Sequence, residues 1–230
     1  METIINEVHY KFVPNKVTSF NNMQIHKDLF LNDIYEKYEA TATVKGELLL
    51  CNDPTKMRKK EKRVFNETYQ EYINMLEQRD ESKDTWIYNI IDGLSEQENI
   101  LYRDDKCIVV PSYIWDSKNI NALHILCLPI DKNLRSIRSL DASHIPLLLH
   151  MRRVTLYIIK YMYNLEEEQL KMYFHYDPST YHLHIHFVNL EVDHGSSVEY
   201  SHDLDSVINN LYVFSDYYKV FKLKTRTIIY

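Results

Sequence analysis

Four histidines, His175, His182, His184 and His186, fall within twelve residues of a chain that carries 11 histidines in 230. The last three alternate with apolar residues in Tyr181-His182-Leu183-His184-Ile185-His186-Phe187-Val188. Successive side chains of an extended strand point to opposite faces, so this run predicts a strand with His182, His184 and His186 on one face, about 6–7 Å apart. Tyr181, Leu183, Ile185 and Phe187 then share the other face, suited to a core. Two chemistries fit such a row. Neutral imidazoles two apart on a strand can grip zinc together. Alternatively, one imidazole attacks phosphorus while its neighbours bind phosphate oxygens. A solvent-facing strand without chemistry is the third reading, and periodicity does not choose among the three.

The elements that must position this row follow from the rest of the chain. Lys171 to Tyr176, the turn residues Asp177-Pro178-Ser179, and Tyr181 to Val192 read as a hairpin, which brings His175 from the strand beside the histidine row. Cys107 to Pro111 and Leu123 to Leu128 read as a further antiparallel pair. Asp141 or Ser143 can cap a helix running to about Tyr163, with Pro146 tolerated in its first turn. Trp86 to Ile91 reads as a short helix, Asp203 to Leu211 as another, and Lys219 to Lys224 as a closing strand. Residues 1–54 read as a small β-rich N-terminal domain, with alternation at Val8 to Phe12 and a β-branched stretch from Thr41 to Leu50. From Thr55 to about Arg79 apolar residues recur at helical spacing (Val64, Phe65, Tyr69, Tyr72, Ile73, Leu76), which predicts a linker helix. The pattern is α+β: an antiparallel sheet flanked by helices over residues 55–230, linker helix included, behind the N-terminal domain.

Composition excludes several classes. A net charge of −6 argues against wrapping long nucleic acid, whose affinity rests on many Lys and Arg contacts to phosphates. With only three glycines, Gly46, Gly93 and Gly195, no Gly-rich phosphate loop can be assembled. Side chains must do any phosphate binding, and the basic run from Lys56 to Arg63 is either a solvated helix face or a source of such contacts. The first residues lack a basic region followed by a sustained apolar one, and runs such as Ile145 to Leu149 are too short to cross a bilayer, so no membrane association and an intracellular location are expected. Cys51, Cys107 and Cys127 form an odd set without metal-type spacing, and no disulfide framework is implied.

His182-Leu183-His184-Ile185-His186-Phe187-Val188 resembles the histidine-triad motif of nucleotide-binding hydrolases and transferases. The segment His175 to His182 is similar to one branch of that family, the scavenger mRNA decapping enzymes, which carry an extra histidine seven residues upstream. Asn32 to Tyr35, Glu67 to Tyr72, Trp86 to Asp92, and Ile137 to Leu140 followed by His144 to Leu148 resemble further segments of that branch in the same order. The resemblance implies hydrolysis of an m7G cap dinucleotide or short capped oligonucleotide, releasing 7-methylguanosine monophosphate. His184 would be the nucleophile that forms a phosphohistidine. His182 and His186 would hold the ring or the oxygens, and His175 would lie near the transferred phosphate. Trp86 would stack on the cationic base, Glu96 would accept hydrogen bonds from the guanine edge, and Pro111 and Ser179 would complete the cap site, with Ser179 donating to a phosphate oxygen. No cofactor and no catalytic metal is implied.

The resemblance also implies a homodimer with exchanged N-terminal elements, located in the cytoplasm and also the nucleus. The chain departs from the family pattern where phosphate is bound: Ser112 and Ile114 stand where an acidic residue and a lysine are expected, and Tyr200 where an arginine is expected. Lys56 matches a family lysine, and Lys118 lies close enough in sequence to substitute. These departures keep two rivals open, a non-catalytic cap-binding paralogue and a general dinucleoside polyphosphate hydrolase.

Overall fold

The computed structural model describes residues 63–193 and 195–225 with their side chains, and the backbone of strands formed by 2–5, 8–13, 24–31, 35–41, 45–51, 61–62 and 226–229. The chain divides into two compact units, Met1–Lys62 with Ile228–Tyr230, and Arg63–Thr227. In the first, strands β1 (Glu2–Ile5), β2 (Val8–Val13), β3 (Gln24–Leu31), β4 (Tyr35–Thr41) and β5 (Lys45–Cys51) form one antiparallel sheet in the order β1-β2-β5-β4-β3.

The expected linker helix from Thr55 is shorter than its periodicity suggests. Residues 52–60, Lys56 among them, lie outside the described residues; Glu61–Glu67 is strand β6, and the helix α1 spans only Tyr69–Gln78. Thr68 sets the boundary. Its hydroxyl accepts from the Glu71 N–H at 3.3 Å while its own N–H donates to the Glu71 carboxylate at 2.7 Å, a reciprocal cap that starts a helix here. The strand before it pairs with β13 (Leu223–Ile229), a partner far along the chain that local periodicity cannot reveal.

The second unit is built on a six-stranded antiparallel sheet. Strands β7 (Tyr102–Arg103), β8 (Cys107–Pro111), β9 (His124–Pro129), β10 (Leu170–His175), β11 (Ile185–Asn189) and β12 (Ser201–Asp203) lie in the order β12-β10-β11-β9-β8-β7. Alternation separates its faces. Cys107, Val109, Ile125, Cys127, Phe174, Ile185 and Phe187 join one apolar core with Leu148, Met151 and Ile159 of α3 (Ile145–Tyr163) and Leu204, Val207 and Leu211 of α4 (Leu204–Val213). Each such aliphatic or aromatic side chain contributes about 1.5–3 kcal/mol when withdrawn from water. On the opposite face Ile108, Val110, Leu126 and Leu128 meet Ile87, Ile90 and Ile91 of the helix α2 (Thr85–Ile91). That helix covers only one end of the face, and the histidines occupy the rest.

The hairpin expected from Lys171 to Val192 exists, but its second strand is hydrogen-bonded only over Ile185–Asn189. Residues 176–184 leave the ladder because other elements take their backbone groups. The Tyr176 N–H donates to the Tyr200 carbonyl at 2.7 Å, Leu183 N–H to Leu134 at 2.7 Å, and Tyr181 N–H to the carboxylate of Asp84 at 3.0 Å. The closing strand expected over Lys219 to Lys224 is likewise displaced, with Tyr217–Val220 forming the one-turn helix α5 and β13 beginning at Leu223.

One buried cation binds these pieces together. Arg138, with none of its surface exposed, donates to the carbonyls of Tyr218 and Phe221 at 2.8 Å each, to the Glu67 carbonyl at 2.7 Å and to the Tyr176 hydroxyl at 3.1 Å. It thereby ties β6, α5 and the loop after β10 to one guanidinium. Its loss strands Glu67 and three carbonyls in the interior. The Arg138→Met variant should lose about 3–5 kcal/mol of unfolding free energy, measured by denaturant titration.

Candidate active site

The alternation read from the histidine run holds even where the strand hydrogen bonds do not. Tyr181, Leu183, Ile185 and Phe187 all enter the apolar core, which turns the three histidines to the other side. Cross-strand pairing then adds neighbours: Tyr173 is opposite His186, and His175 ends the same strand. The ring centroids of His184 and His186 are 4.8 Å apart, and those of His175 and His186 are 4.2 Å apart. Tyr173 stacks on His186 at 5.1 Å, and Tyr200 stacks on His175 at 4.6 Å.

The hydrogen bonds assign a role to each ring. The Nδ1 of His184 lies 2.7 Å from the His182 carbonyl. A carbonyl can only accept, so Nδ1 carries the hydrogen and Nε2 is left with its lone pair. Burial lowers the tendency of His184 to protonate, which keeps this nucleophilic tautomer neutral. His182 is different. Fully buried, it donates Nε2–H to the Pro129 carbonyl at 2.8 Å and meets the edge of Tyr88 on α2 at 5.7 Å. Burial takes its pKa down to about 4. Its side chain is therefore a support, and its backbone carbonyl orients His184. His175 bonds through Nε2 to the Gly195 carbonyl at 2.6 Å.

His186 is 6% exposed and is gripped from behind by His124, whose Nε2 lies 2.8 Å from His186 Nδ1. His124 is absent from the sequence reading. It opens β9 and alternates with Leu126 and Leu128, so its face could be read, but the register that sets it beside His186 could not. Each of these five rings has one nitrogen engaged by a carbonyl or by a neighbouring ring. Elsewhere, Asp104, Cys107 and His150 bring possible metal-ligand atoms within 4.8 Å. Asp104 is already saturated by Tyr102, by the N–H groups of Lys106 and Cys107, and by His150, which accounts for that group as a hydrogen-bonded network.

Next to the histidines lies a cavity of about 420 Å³ whose lining includes Trp86, Glu96, Pro111 and Ser179, the four residues assigned together from the sequence. Tyr113 and Leu126 also line it, and Leu126 is the cross-strand partner of His186, so the cavity adjoins the histidine row. The spacing of Trp86 and Glu96 is fixed by the end of α2. Gly93 takes φ +78°, and the N–H groups of Gly93 and Leu94 return to the carbonyls of Ile90 and Asn89 at 3.2 and 2.8 Å, closing the helix with a Schellman turn. Glu96 follows at φ +53°, and the Gln97 amide fastens the loop to Ile90 and Ser95 at 3.0 and 2.7 Å. Ser179 is held in turn by Arg79, which donates to its carbonyl at 3.3 Å and pairs with the buried Asp84. No basic side chain lines the cavity among the described residues. Lys118 sits in an exposed turn capped by Asp116 and does not line it.

The family described as scavenger mRNA decapping enzyme C-term binding matches residues 85–201, more than half of the chain. The chain belongs to the scavenger mRNA decapping enzymes. Among curated relatives, the m7GpppX diphosphatase of Ascaris suum is 34% identical over 209 residues, covering 84% of this chain and 69% of that protein. The Caenorhabditis elegans protein of the same name is 33% identical, at 84% and 67% coverage, and the Homo sapiens protein 30% identical, at 79% and 59%. A solved structure of Hnt3 in complex with DNA and guanosine overlaps loosely, with a TM-score of 0.30 and 19% identity over 47% of this chain and 62% of that one.

Keeping imidazoles neutral in the interior links stability to pH. The unfolded His182 side chain titrates near the ordinary value of about 6.5, whereas the folded one does so at about 4. Between those values the unfolded chain binds more protons, so stability falls as pH falls, by about 3 kcal/mol from this group alone. Denaturant midpoints measured from pH 7 to pH 4.5 should show that slope, and His182→Phe should flatten it.

Proposed function

We propose that this protein hydrolyses the 5′-to-5′ triphosphate of short 7-methylguanosine-capped fragments, acting as an m7GpppX diphosphatase through a phosphohistidine on His184. The observation that supports the reading is the cavity lined by Trp86, Glu96, Pro111 and Ser179, which adjoins the histidine row through Leu126, the cross-strand partner of His186, while the His184 ring keeps a lone pair on Nε2. Methylation at N7 makes the guanine cationic. Stacking on Trp86 then gains about 0.5–2 kcal/mol from a cation–π contribution, and the Glu96 carboxylate suits both the charge and the N–H groups of the guanine edge.

The chemistry needs no deprotonation to begin. His184 Nε2 attacks the phosphorus that bears the methylguanosine, and the bond to the bridging oxygen breaks to release a nucleoside diphosphate or diphosphate-ended oligonucleotide. Water then cleaves the phosphorus–nitrogen bond to give 7-methylguanosine monophosphate. The homodimer with exchanged N-terminal elements is part of this proposal and is supported by family membership; its test is the solution mass.

Incubation with methylated and unmethylated cap dinucleotides tests the activity. The methylated substrate should yield 7-methylguanosine monophosphate, and absence of that product sinks the claim. His184→Asn should lower turnover at least about 1,000-fold while cap binding stays within a few-fold of wild type. Glu96→Gln should instead raise KM and narrow the preference for the methylated base. A second reading, cap binding without turnover, is favoured by one observation, the absence of lysine and arginine from the cavity lining among the described residues. Tight binding of the methylated dinucleotide without product would establish it.

A further inference from the structure

His124 has no role in the reaction as described so far, yet it is 7% exposed and its Nε2 lies 2.8 Å from His186 Nδ1. Two ring nitrogens at that distance share a proton: one carries the hydrogen and the other the lone pair. The opposite nitrogen of His186, Nε2, is buried without a protein hydrogen-bond partner among the described residues. A buried polar atom left unpaired costs about 1–3 kcal/mol unless a ligand satisfies it. The His184 ring, whose Nε2 makes the attack, is 4.8 Å away. Titratable groups packed around the pair include His184 before β11, His175 and Tyr173 of β10, and Tyr200, which stacks on His175.

We propose that His124 and His186 form a proton relay, in which His124 is a positioning residue that supplies and recovers the proton His186 exchanges with the reacting oxygens. The inference rests on the proposed cap hydrolysis and adds the missing proton account to it. With the triphosphate bound, the pair holds one excess proton: His124 carries N–H on both nitrogens, and His186 carries it on Nε2. As His184 Nε2 bonds to phosphorus and the bridging P–O bond breaks, the leaving oxygen takes the proton from His186 Nε2. His186 Nδ1 simultaneously receives the one from His124 Nε2, and both rings end neutral. His186 Nε2 now holds a lone pair facing the phosphohistidine. When water attacks phosphorus, that lone pair takes its proton, His186 Nδ1–H returns to His124 Nε2, and the pair is reset with no net change. Burial and the neighbouring imidazoles weaken the hold of His186 on a second proton, which keeps the transfer easy in both directions.

The test uses the intact protein and two substrates, the methylated cap dinucleotide and the p-nitrophenyl ester of 7-methylguanosine monophosphate, whose leaving group needs no proton. His124→Gln keeps an N–H to hold the His186 ring but cannot deliver an excess proton. Its turnover of the dinucleotide should fall about 100-fold with KM little changed, while the nitrophenolate burst from the ester stays close to wild type. His124→Phe should repeat this split. Proton inventories in mixed light and heavy water should be curved for wild type, with two protons in flight, and linear for both variants. Wild-type turnover of the dinucleotide by His124→Gln, or an equal loss on both substrates, overturns the relay. Failure of the wild-type protein to release product from either substrate would instead remove the cap-hydrolysis reading on which it rests.

Discussion

The hydrogen bond from His184 Nδ1 to the carbonyl two residues earlier decides what the site can do, because it leaves Nε2 as the only nitrogen able to attack. That bond requires the chain at His182 to stand still, and the fold provides for this several times over. His182 itself is anchored at Pro129, Leu183 at Leu134, and Tyr181 at Asp84, which Arg79 and Arg135 neutralise in turn. The segment therefore has strand-like alternation without strand pairing. Its backbone groups are spent on fixing one imidazole rather than on extending a sheet.

Beneath this lies the two-faced sheet. Ile185 and Phe187 are fully buried on the α3 side, so His184 and His186 have no choice of face, and a slip of one residue would move every ring into the core. The far side of the same sheet carries α2, whose first turn holds Trp86 and whose capped C-terminus leads to Glu96, both of which line the cavity. The groups proposed for catalysis and for binding thus share one face of the sheet, the arrangement expected where positioning lowers a barrier.

Much of this was legible in the sequence. The face of each histidine followed from alternation, the helix at Ile145–Tyr163 from its apolar run and Pro146, although Asp141 caps the short 3-10 turn Ala142–His144 before it, and the set Trp86, Glu96, Pro111 and Ser179 from resemblance alone; the cavity unites all four. What could not be read depended on long-range pairing. Strand β6 has its partner more than 150 residues away, so its apolar spacing resembled a helix. His124 reaches His186 only through the register of β9 against β11, which no local pattern encodes. The departures at Ser112, Ile114 and Tyr200 also take on a structural meaning. Tyr200 lies against His175 as an aromatic partner, and no lysine or arginine lines the cavity among the described residues.

The central claim is the tautomer of His184, and long-range proton–nitrogen correlation spectra of the 15N-histidine-labelled protein at pH 7 measure it directly. The account predicts a neutral His184 ring with its proton on Nδ1 and an unprotonated Nε2. A proton on Nε2, or a doubly protonated ring, would contradict it.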